Sequence, residues 1–276
     1  MTPPPPPPPD RPPAHLLAAP AAETLEAVEL GGDFSYTRRE PLGVCVGIGA
    51  WNYPIQIACW KAAPALAAGN TVVLKGSECS AAPILEFGKL IAEAGIPDGV
   101  VNIITGHGDP CGRALTSHPD VARVSFTGGP TSAGHVIRNT AENFAELSLE
   151  LGGKSPYIVF DDADLDSAVE GLVDAIWLNQ GQVCCAGSRL LVHEPVAAAF
   201  HTKVKARMDR LRIGDPMDKS IDVGAIVDPI QHAAITRMVN ANTDGETYVT
   251  AAEIPATGCF YPPTLITGLS PSATLM

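Results

Sequence analysis

Between residues 40 and 150, short apolar runs alternate with longer segments that carry helix signals, and no other feature of the sequence restricts the fold as strongly. The apolar runs, which predict buried strands, are residues 43–49, 71–75, 100–104 and 121–126. The segments that predict helices are residues 54–68, 82–94 and 113–117. Strands that alternate with helices are typical of βαβ units, in which crossover helices join parallel strands. The sequence therefore predicts an α/β fold with a parallel sheet.

A second block of alternating segments follows from about residue 148. Its predicted strands and helices are residues 157–160, 165–178, 190–192 and 197–211. The acidic run at 161–166 suits the start of the first of these helices, because carboxylates stabilise a helix N-terminus. Two α/β domains are thus predicted, over residues 34–150 and residues 151–276.

Three of the predicted strands in the first block end in loops that contain Gly, Asn, Lys or Thr. Ligands of open parallel sheets bind at the carboxyl ends of the strands, so these loops are candidate binding elements. Lys75 ends one strand, where its ammonium group can meet a phosphate or a sugar hydroxyl, or simply reach solvent. Gly128 and Gly129 follow another strand and can open a helix whose N–H groups hold a pyrophosphate, although the full Gly-x-Gly-x-x-Gly pattern is absent.

Three further side chains are candidates for chemistry, each with a structural alternative. Cys184 lies between Gly181 and Gly187, where a substrate can reach a thiolate, but free cysteine is also among the most buried residue types. Glu150 is flanked by two leucines, and burial there would suit it to general-base work; the alternative is an exposed loop carboxylate. The Asn52 amide can stabilise an oxyanion or simply form a turn ahead of a proline.

The charge and cysteine content restrict the partners of the chain. It carries 18 Lys and Arg against 30 Asp and Glu, a formal net charge of −12, which argues against nucleic acid as a main partner. It has no apolar run of about 18 residues, so no membrane partner is expected. Its seven cysteines include no Cys-x-x-Cys pair, which argues against a zinc site and favours reduced thiols in a cytoplasmic protein.

Residues 1–33 differ from the rest of the chain, since ten prolines fall within the first twenty positions. This composition predicts a disordered or polyproline II tail. A docking segment for an SH3-like module and an unstructured leader both agree with it, because proline content alone specifies no partner.

Five motifs occur together in the order and spacing of one enzyme superfamily. They are Trp51-Asn52-Tyr53-Pro54, Lys75 with Glu78, Ser125-Phe126-Thr127-Gly128-Gly129, Leu149-Glu150-Leu151-Gly152-Gly153-Lys154 and Gly181-Gln182-Val183-Cys184. Over residues 34–276 the chain resembles the NAD-dependent aldehyde dehydrogenases. Segment 36–68 is similar to the betaine and trimethylaminobutyraldehyde dehydrogenases, whereas 164–186 and 260–269 are more similar to the long, two-module branch of the superfamily.

The resemblance implies a Rossmann-like cofactor domain, the start of a second α/β catalytic domain, and oxidation of a small aldehyde to the carboxylic acid with NAD+. Cys184 would attack the aldehyde to form a thiohemiacetal and then a thioester, with the Asn52 amide and the Cys184 N–H as oxyanion donors. Glu150 would activate the water that hydrolyses the thioester, or help to deprotonate the thiol, and Cys185 would be structural. The parent enzyme is implied to be a homo-oligomer.

For the cofactor, the resemblance implies eleven contact residues. Lys75 and Glu78 match positions that contact the adenosine ribose, and a carboxylate at Glu78 favours NAD over NADP. Gly108 and Gly112 would let the adenine side pack closely, and Gly129 would lie near the pyrophosphate. The remaining implied contacts are Ile48, Ala50, Trp51, Thr127, Gly128 and Leu151.

Three departures from the family pattern are visible. Gly129 stands where the family usually has Ser, in a loop (128–134) one residue longer than usual, and Gly76 stands where Pro is usual, which is expected to loosen that turn. The Glu-x-Phe-Gly-Pro segment of the family is absent, so the chain is expected to be an internal fragment.

Two alternatives to the aldehyde dehydrogenase activity follow. One is a truncated, non-catalytic pseudoenzyme or binding module, and the other is a weak thiol esterase that uses Cys184 and Glu150 without hydride transfer.

Overall fold

The computed structural model describes residues 27–30, 33–36 and 38–276, and these residues divide into two compact units. The first unit ends at Leu151 and the second runs from Gly152 to Met276. Most of the predicted proline-rich tail lies outside the described residues. However, strand β1 (Ala27–Leu30) pairs antiparallel with β2 (Asp33–Tyr36), so regular structure begins before the predicted boundary at residue 34.

Five strands form the main sheet of the first unit. They are β3 (Val44–Ile48), β4 (Thr71–Lys75), β5 (Val101–Ile104), β6 (Val121–Gly128) and β7 (Glu146–Leu151). Their order is β5-β4-β3-β6-β7, and every neighbouring pair is parallel. The chain runs outwards from β3 to β5 and then returns to place β6 on the other side of β3, so the strand order reverses between β3 and β6. The predicted α/β fold with a Rossmann-like parallel sheet is confirmed.

Helices cover both faces of this sheet. Helices α1 (Pro54–Ala67) and α2 (Ala81–Glu93) pack on one face, in a buried cluster that contains Cys45, Val72 and Leu74 of the strands. Helix α4 (Pro130–Asn139) packs in a second cluster with residues of β3 and β6, and the short α3 (Arg113–Thr116) precedes β6. Within the part of the chain that the structure describes, no helix is both long and apolar enough to cross a membrane.

Glycine ends the first two helices where the sequence predicts it. Gly69 and Gly95 follow the ends of α1 and α2, and each has φ of +79°. This left-handed conformation is available to glycine at little cost, which explains why the two helices end at these residues.

The second unit is built from two small sheets and three helices. Its elements are β8 (Pro156–Val159), α5 (Leu165–Trp177), β9 (Arg189–Val192), α6 (Glu194–Met208), α7 (Pro229–Asn240), β10 (Glu246–Val249) and β11 (Thr264–Thr267). Strands β8 and β9 are parallel and pack with α5 and α6 around one buried cluster, whereas β10 and β11 are antiparallel. The last helix and the β10–β11 pair were not predicted from the sequence.

The acidic run before α5 caps that helix as predicted. The Asp164 carboxylate accepts hydrogen bonds from the backbone N–H groups of Ser167 and Asp166, at 3.2 and 3.0 Å. These bonds hold the pKa of the Asp164 carboxyl below its usual range. They also supply partners for N–H groups that have none within the helix itself.

Candidate functional site

A cavity of about 490 Å³ opens at the carboxyl ends of β3, β4 and β6, and is called here the strand-end cavity. Ile48, Lys75 and Gly128, the last residues of these three strands, all line it. Because the strand order reverses between β3 and β6, the cavity lies at the switch point where open parallel sheets bind their ligands.

Ten of the eleven residues that the resemblance assigns to the cofactor line the strand-end cavity. They are Ile48, Ala50, Trp51, Lys75, Glu78, Gly108, Gly112, Thr127, Gly128 and Gly129. The exception is Leu151, which the structure does not place in this cavity. Leu151 ends β7 and packs instead against the buried cluster that β3, β6 and α4 share. Strand β7 is the edge strand of the sheet, whereas the cavity opens at the ends of β3, β4 and β6.

Lys75 and Glu78 form a charged corner of the strand-end cavity. Lys75 is only 4% exposed, and its ammonium group donates to the Gly76 carbonyl at 3.0 Å. One Glu78 carboxylate oxygen lies 4.0 Å from the Lys75 Nζ, and the Glu78 side chain is half exposed. A Cβ atom on Gly112 would lie 3.9 Å from Lys75 Cε, so the neighbouring turn packs on the lysine stem. A donor and an acceptor side by side are suited to binding neighbouring hydroxyl groups.

Gly76 and Gly129, the two glycines that depart from the family pattern, have different surroundings. A Cβ atom on Gly76 would lie 2.5 Å from Cδ1 of Ile84, so this glycine allows close packing of the turn that was expected to be loose. Gly129 is the N-cap of the ten-residue helix α4, and no atom lies within 4 Å of the position of a Cβ on it. Open space before the first-turn N–H groups of a helix suits an anion such as a pyrophosphate.

A further set of cavity residues was missed from the sequence. It comprises Ser77, Asp109, Arg113, Thr116, Ser132, His135, Val136 and Asn139. The last four lie on α4 at three- and four-residue spacing, so they share one face of that helix. This spacing is the signal that could have identified them. The Asn139 amide donates to the Thr116 hydroxyl at 3.0 Å and joins α4 to α3.

A second cavity, of about 580 Å³, lies between α1 and the polar side chains of β6 and β7, and is called the α1 cavity. Lys61 of α1 lines it, is only 8% exposed, and donates to Ser125 Oγ at 3.0 Å and Thr127 Oγ1 at 2.9 Å. Burial lowers the pKa of Lys61 to about 8, and the Glu150 carboxylate opposes this shift. Lys61 was also missed, although a lysine within an apolar helix is a visible signal.

The predicted base and the predicted oxyanion donor both belong to the first unit. Glu150 lies in β7 opposite Thr127 of β6, and its side chain lines the α1 cavity. The expected burial of Glu150 is wrong, since the residue is exposed. The alternative of an exposed loop carboxylate is right about the exposure but wrong about the loop, because Glu150 lies in a strand. Asn52 is half-buried in the turn between β3 and α1.

The predicted nucleophile lies in the second unit, at the corner of a tight turn. The Ala186 N–H donates to the Val183 carbonyl at 3.2 Å, which places Cys184 and Cys185 at the two central positions. Both cysteines are exposed, so the alternative of two buried apolar side chains is wrong for this unit. A Cβ atom on Gly153 would lie 3.3 Å from the Cys184 carbonyl oxygen, so the backbone of Gly153 packs directly against this turn.

The aldehyde dehydrogenase family model matches residues 14–276. The chain belongs to this family. Among its relatives are the betaine aldehyde dehydrogenases of Rhizobium leguminosarum bv. trifolii and Agrobacterium fabrum, which are 43% and 42% identical to it over 262 residues. Each alignment covers 93% of this chain but only 54% and 53% of the two relatives, so the chain spans about half the length of the curated aldehyde dehydrogenases it matches.

Several solved structures share the fold. The betaine aldehyde dehydrogenase of Staphylococcus aureus in complex with NAD+ is 32% identical, with a TM-score of 0.85 over 95% of this chain and 54% of that one. PnpE in complex with nicotinamide adenine dinucleotide is 35% identical, with a TM-score of 0.83 over 87% of this chain and 51% of that one. The family resemblance deduced from the five motifs is confirmed.

Proposed function

We propose that this protein binds NAD+ in the strand-end cavity and oxidises an aldehyde to a carboxylic acid. The observation that carries the proposal is this cavity, because it lies at the switch point of a parallel sheet and gathers ten of the residues that the family resemblance assigns to the cofactor. The names of the relatives and of the NAD+ complexes agree with the same activity.

The chemistry of the cavity suits the cofactor. The Lys75 ammonium group and the Glu78 carboxylate would hold the hydroxyl groups of the adenosine ribose, and the carboxylate would repel a 2′-phosphate. The first-turn N–H groups of α4, behind the open space at Gly129, would hold the pyrophosphate. When bound, NAD+ supplies the hydride acceptor that turns a thiohemiacetal into a thioester.

The chain's own residues would supply the other steps. The Cys184 thiolate forms a C–S bond to the aldehyde carbon, and the carbonyl oxygen takes up the negative charge. The Asn52 amide and the Cys184 N–H would stabilise that oxyanion. Glu150 would take a proton from the water that cleaves the thioester, which releases the acid and regenerates the thiol. The exposed positions of Cys184 and Glu150 are compatible with these roles, since both groups must be reached by substrate or water.

Calorimetry of NAD+ binding to the 276-residue chain tests the cofactor site. We expect Lys75→Ala and Glu78→Gln each to weaken binding roughly tenfold, because each removes a charged hydrogen-bonding partner of the ribose. Glu78→Gln should also improve the affinity for NADP+ relative to NAD+, since the repulsion of a 2′-phosphate is removed.

Lys89→Ala is the matched control for Lys75→Ala, because Lys89 is an exposed lysine of α2 that pairs with Glu86 outside the strand-end cavity. It should leave NAD+ affinity unchanged. If the folded wild-type chain bound no NAD+, the cofactor proposal would be rejected and the non-catalytic alternative would be favoured.

For the substrate, we propose an aldehyde with a quaternary ammonium group, such as betaine aldehyde. Trp60 of α1 is 63% exposed and lines the α1 cavity together with Glu150. An exposed indole face attracts quaternary ammonium ions through the cation–π interaction. The Trp60 ring face therefore favours a cationic substrate over a neutral one.

Steady-state kinetics with betaine aldehyde and with propanal test this substrate class. Trp60→Ala should raise the KM for betaine aldehyde roughly tenfold and change the KM for propanal little, because only the cation uses the ring face. Trp60→Phe keeps an aromatic face, so its KM for betaine aldehyde should lie between those of the wild type and Trp60→Ala. An equal rise in KM for both aldehydes would show that Trp60 has no part in recognising the charge.

A further inference from the structure

The backbone just before Cys184 adopts an unusual conformation. Asn179 and Gln180 have φ of +50° and +57°, and Gly181 follows with φ of +73°. Glycine adopts this left-handed region readily and asparagine does so more often than most residues, whereas glutamine rarely does, so contacts around Gln180 must stabilise this conformation. Residues 179–181 are called here the left-handed segment.

Side-chain amides supply these contacts. The Gln182 Oε1 accepts a hydrogen bond from the Val227 N–H at 3.0 Å, and the Gln182 Nε2 donates to the Asn179 carbonyl at 3.4 Å. The Gln180 amide suits its surroundings when its oxygen accepts from the Gly224 N–H at 3.0 Å and its nitrogen donates to the Asn179 carbonyl at 3.1 Å. Two glutamines thus connect the left-handed segment to residues 224–227.

Residues 222–227 are themselves firmly fixed. The Arg212 guanidinium makes two hydrogen bonds to the Asp222 carboxylate, at 2.9 and 3.0 Å. Val223 is buried in a cluster with Leu211 and Ile213, and the Ile226 N–H donates to the Cys259 carbonyl at 2.9 Å. A hydrogen bond to residues 222–227 therefore connects the left-handed segment to the core of the second unit.

Gln182 stands directly before the turn that carries the thiol. The turn begins at Val183, the next residue, and places Cys184 at its first corner. Any change in the backbone of the left-handed segment therefore changes the direction of the turn and of the Cys184 Sγ. We infer that Gln182 is a positioning residue for Cys184, which acts through its bond to the Val227 N–H. The inference rests on the proposed role of Cys184 as the nucleophile.

Two substitutions separate this bond from the general effect of losing a side chain. Gln182→Met keeps the length of the side chain but removes the acceptor, whereas Gln182→Glu keeps an acceptor for the Val227 N–H. We expect Gln182→Met to lower kcat about tenfold or more while both KM values change about twofold or less, because a misplaced nucleophile binds substrates but attacks them poorly. Gln182→Glu should restore most of kcat. Gln231→Met on α7 is the matched control and should leave kcat unchanged.

Hydrogen exchange of residues 178–187 provides a readout that does not depend on turnover. It should be about tenfold faster in Gln182→Met than in wild type and close to wild type in Gln182→Glu. Equal exchange and equal kcat in all three proteins would overturn the inference, and so would a Glu variant as impaired as the Met variant.

Alkylation of Cys184 separates a failure of this inference from a failure of the proposed function. If the wild-type protein formed no NADH, the rate of iodoacetamide labelling of Cys184 would replace kcat, measured in a Cys185→Ser background. A labelling rate that differs about threefold or more between wild type and Gln182→Met, and returns in Gln182→Glu, would support the positioning role. Identical labelling rates would reject it.

Discussion

Replacement of Cys184 by serine is expected to lower the rate of NADH formation by roughly 10³-fold or more. The hydroxyl of serine is far less acidic than a thiol, so it supplies almost no anionic nucleophile near neutral pH. Cys184 lies at an exposed corner of the Val183–Ala186 turn, and the substitution changes one atom there, so the fold of the second unit should be unaffected. The measurement is NADH absorbance with betaine aldehyde at saturating NAD+.

Cys185→Ser is the matched control, since it makes the same atomic change at the next corner of the same turn, on another exposed thiol. It should keep most of the wild-type rate. Thermal unfolding should give the same midpoint for both variants. If Cys184→Ser kept its rate while Cys185→Ser lost it, the assignment of the nucleophile would move by one residue. If both variants kept the wild-type rate, a cysteine mechanism would be rejected.

The local signals that were predicted well are those that depend on a few neighbouring residues. The strand at Thr71–Lys75 agrees with its prediction at both ends, because it is an apolar run bounded by Asn70 and Gly76. Helix α1 starts at Pro54 and stops before Gly69, as proline and glycine require. The strand-end cavity could be anticipated for the same reason, since parallel strands bring their carboxyl ends to one edge of the sheet.

Glu150 shows what the sequence alone could not settle. The segment around it was assigned to the second block, whereas the structure pairs Glu146–Leu151 with β6 as the edge strand of the first sheet. Its pattern of alternating polar and apolar residues fits a strand with one polar face, but the face that Glu150 occupies depends on the register with Thr127. Register is a tertiary property, so the exposure of Glu150 in the α1 cavity could not be deduced from its leucine neighbours.

The short strands that were not predicted from the sequence also depend on tertiary pairing. Strands β10 and β11 are four residues long and are separated by fourteen residues, and each becomes a strand only by pairing with the other. Strands β1 and β2 are equally short. In such short segments the propensity signal is weak and long-range pairing decides the structure.

Lys61 gives the second large expected effect, on the pH dependence of stability. Its ammonium group is buried beneath α1, and although Ser125 and Thr127 accept hydrogen bonds from it, the loss of hydration lowers the pKa of Lys61 from 10.5 to about 8. In the unfolded chain the group returns to its ordinary pKa of about 10.4. Between these two values the unfolded state binds more protons than the folded state, so the free energy of unfolding should rise as the pH increases.

The size of this effect follows from the shift. Below about pH 8 the buried charge destabilises the fold by its full amount, on the order of 3 kcal/mol, and above about pH 10.5 the penalty disappears because lysine is neutral in both states. Lys61→Met removes the titrating group and keeps a side chain of similar length. Relative to this variant, the wild-type protein should therefore gain about 2 kcal/mol of unfolding free energy between pH 7 and pH 9.5.

Urea unfolding of both proteins at these two pH values measures the difference directly, and other lysines and tyrosines cancel because both chains contain them. Lys89→Met provides the control, since Lys89 is an exposed lysine on α2 whose side chain is 66% accessible. Its stability difference from wild type should be the same at both pH values. If the difference between wild type and Lys61→Met were also independent of pH, the Lys61 ammonium group would have to be hydrated in the folded protein. The α1 cavity would then be open to water around Ser125 and Thr127, and the burial of Lys61 would be rejected.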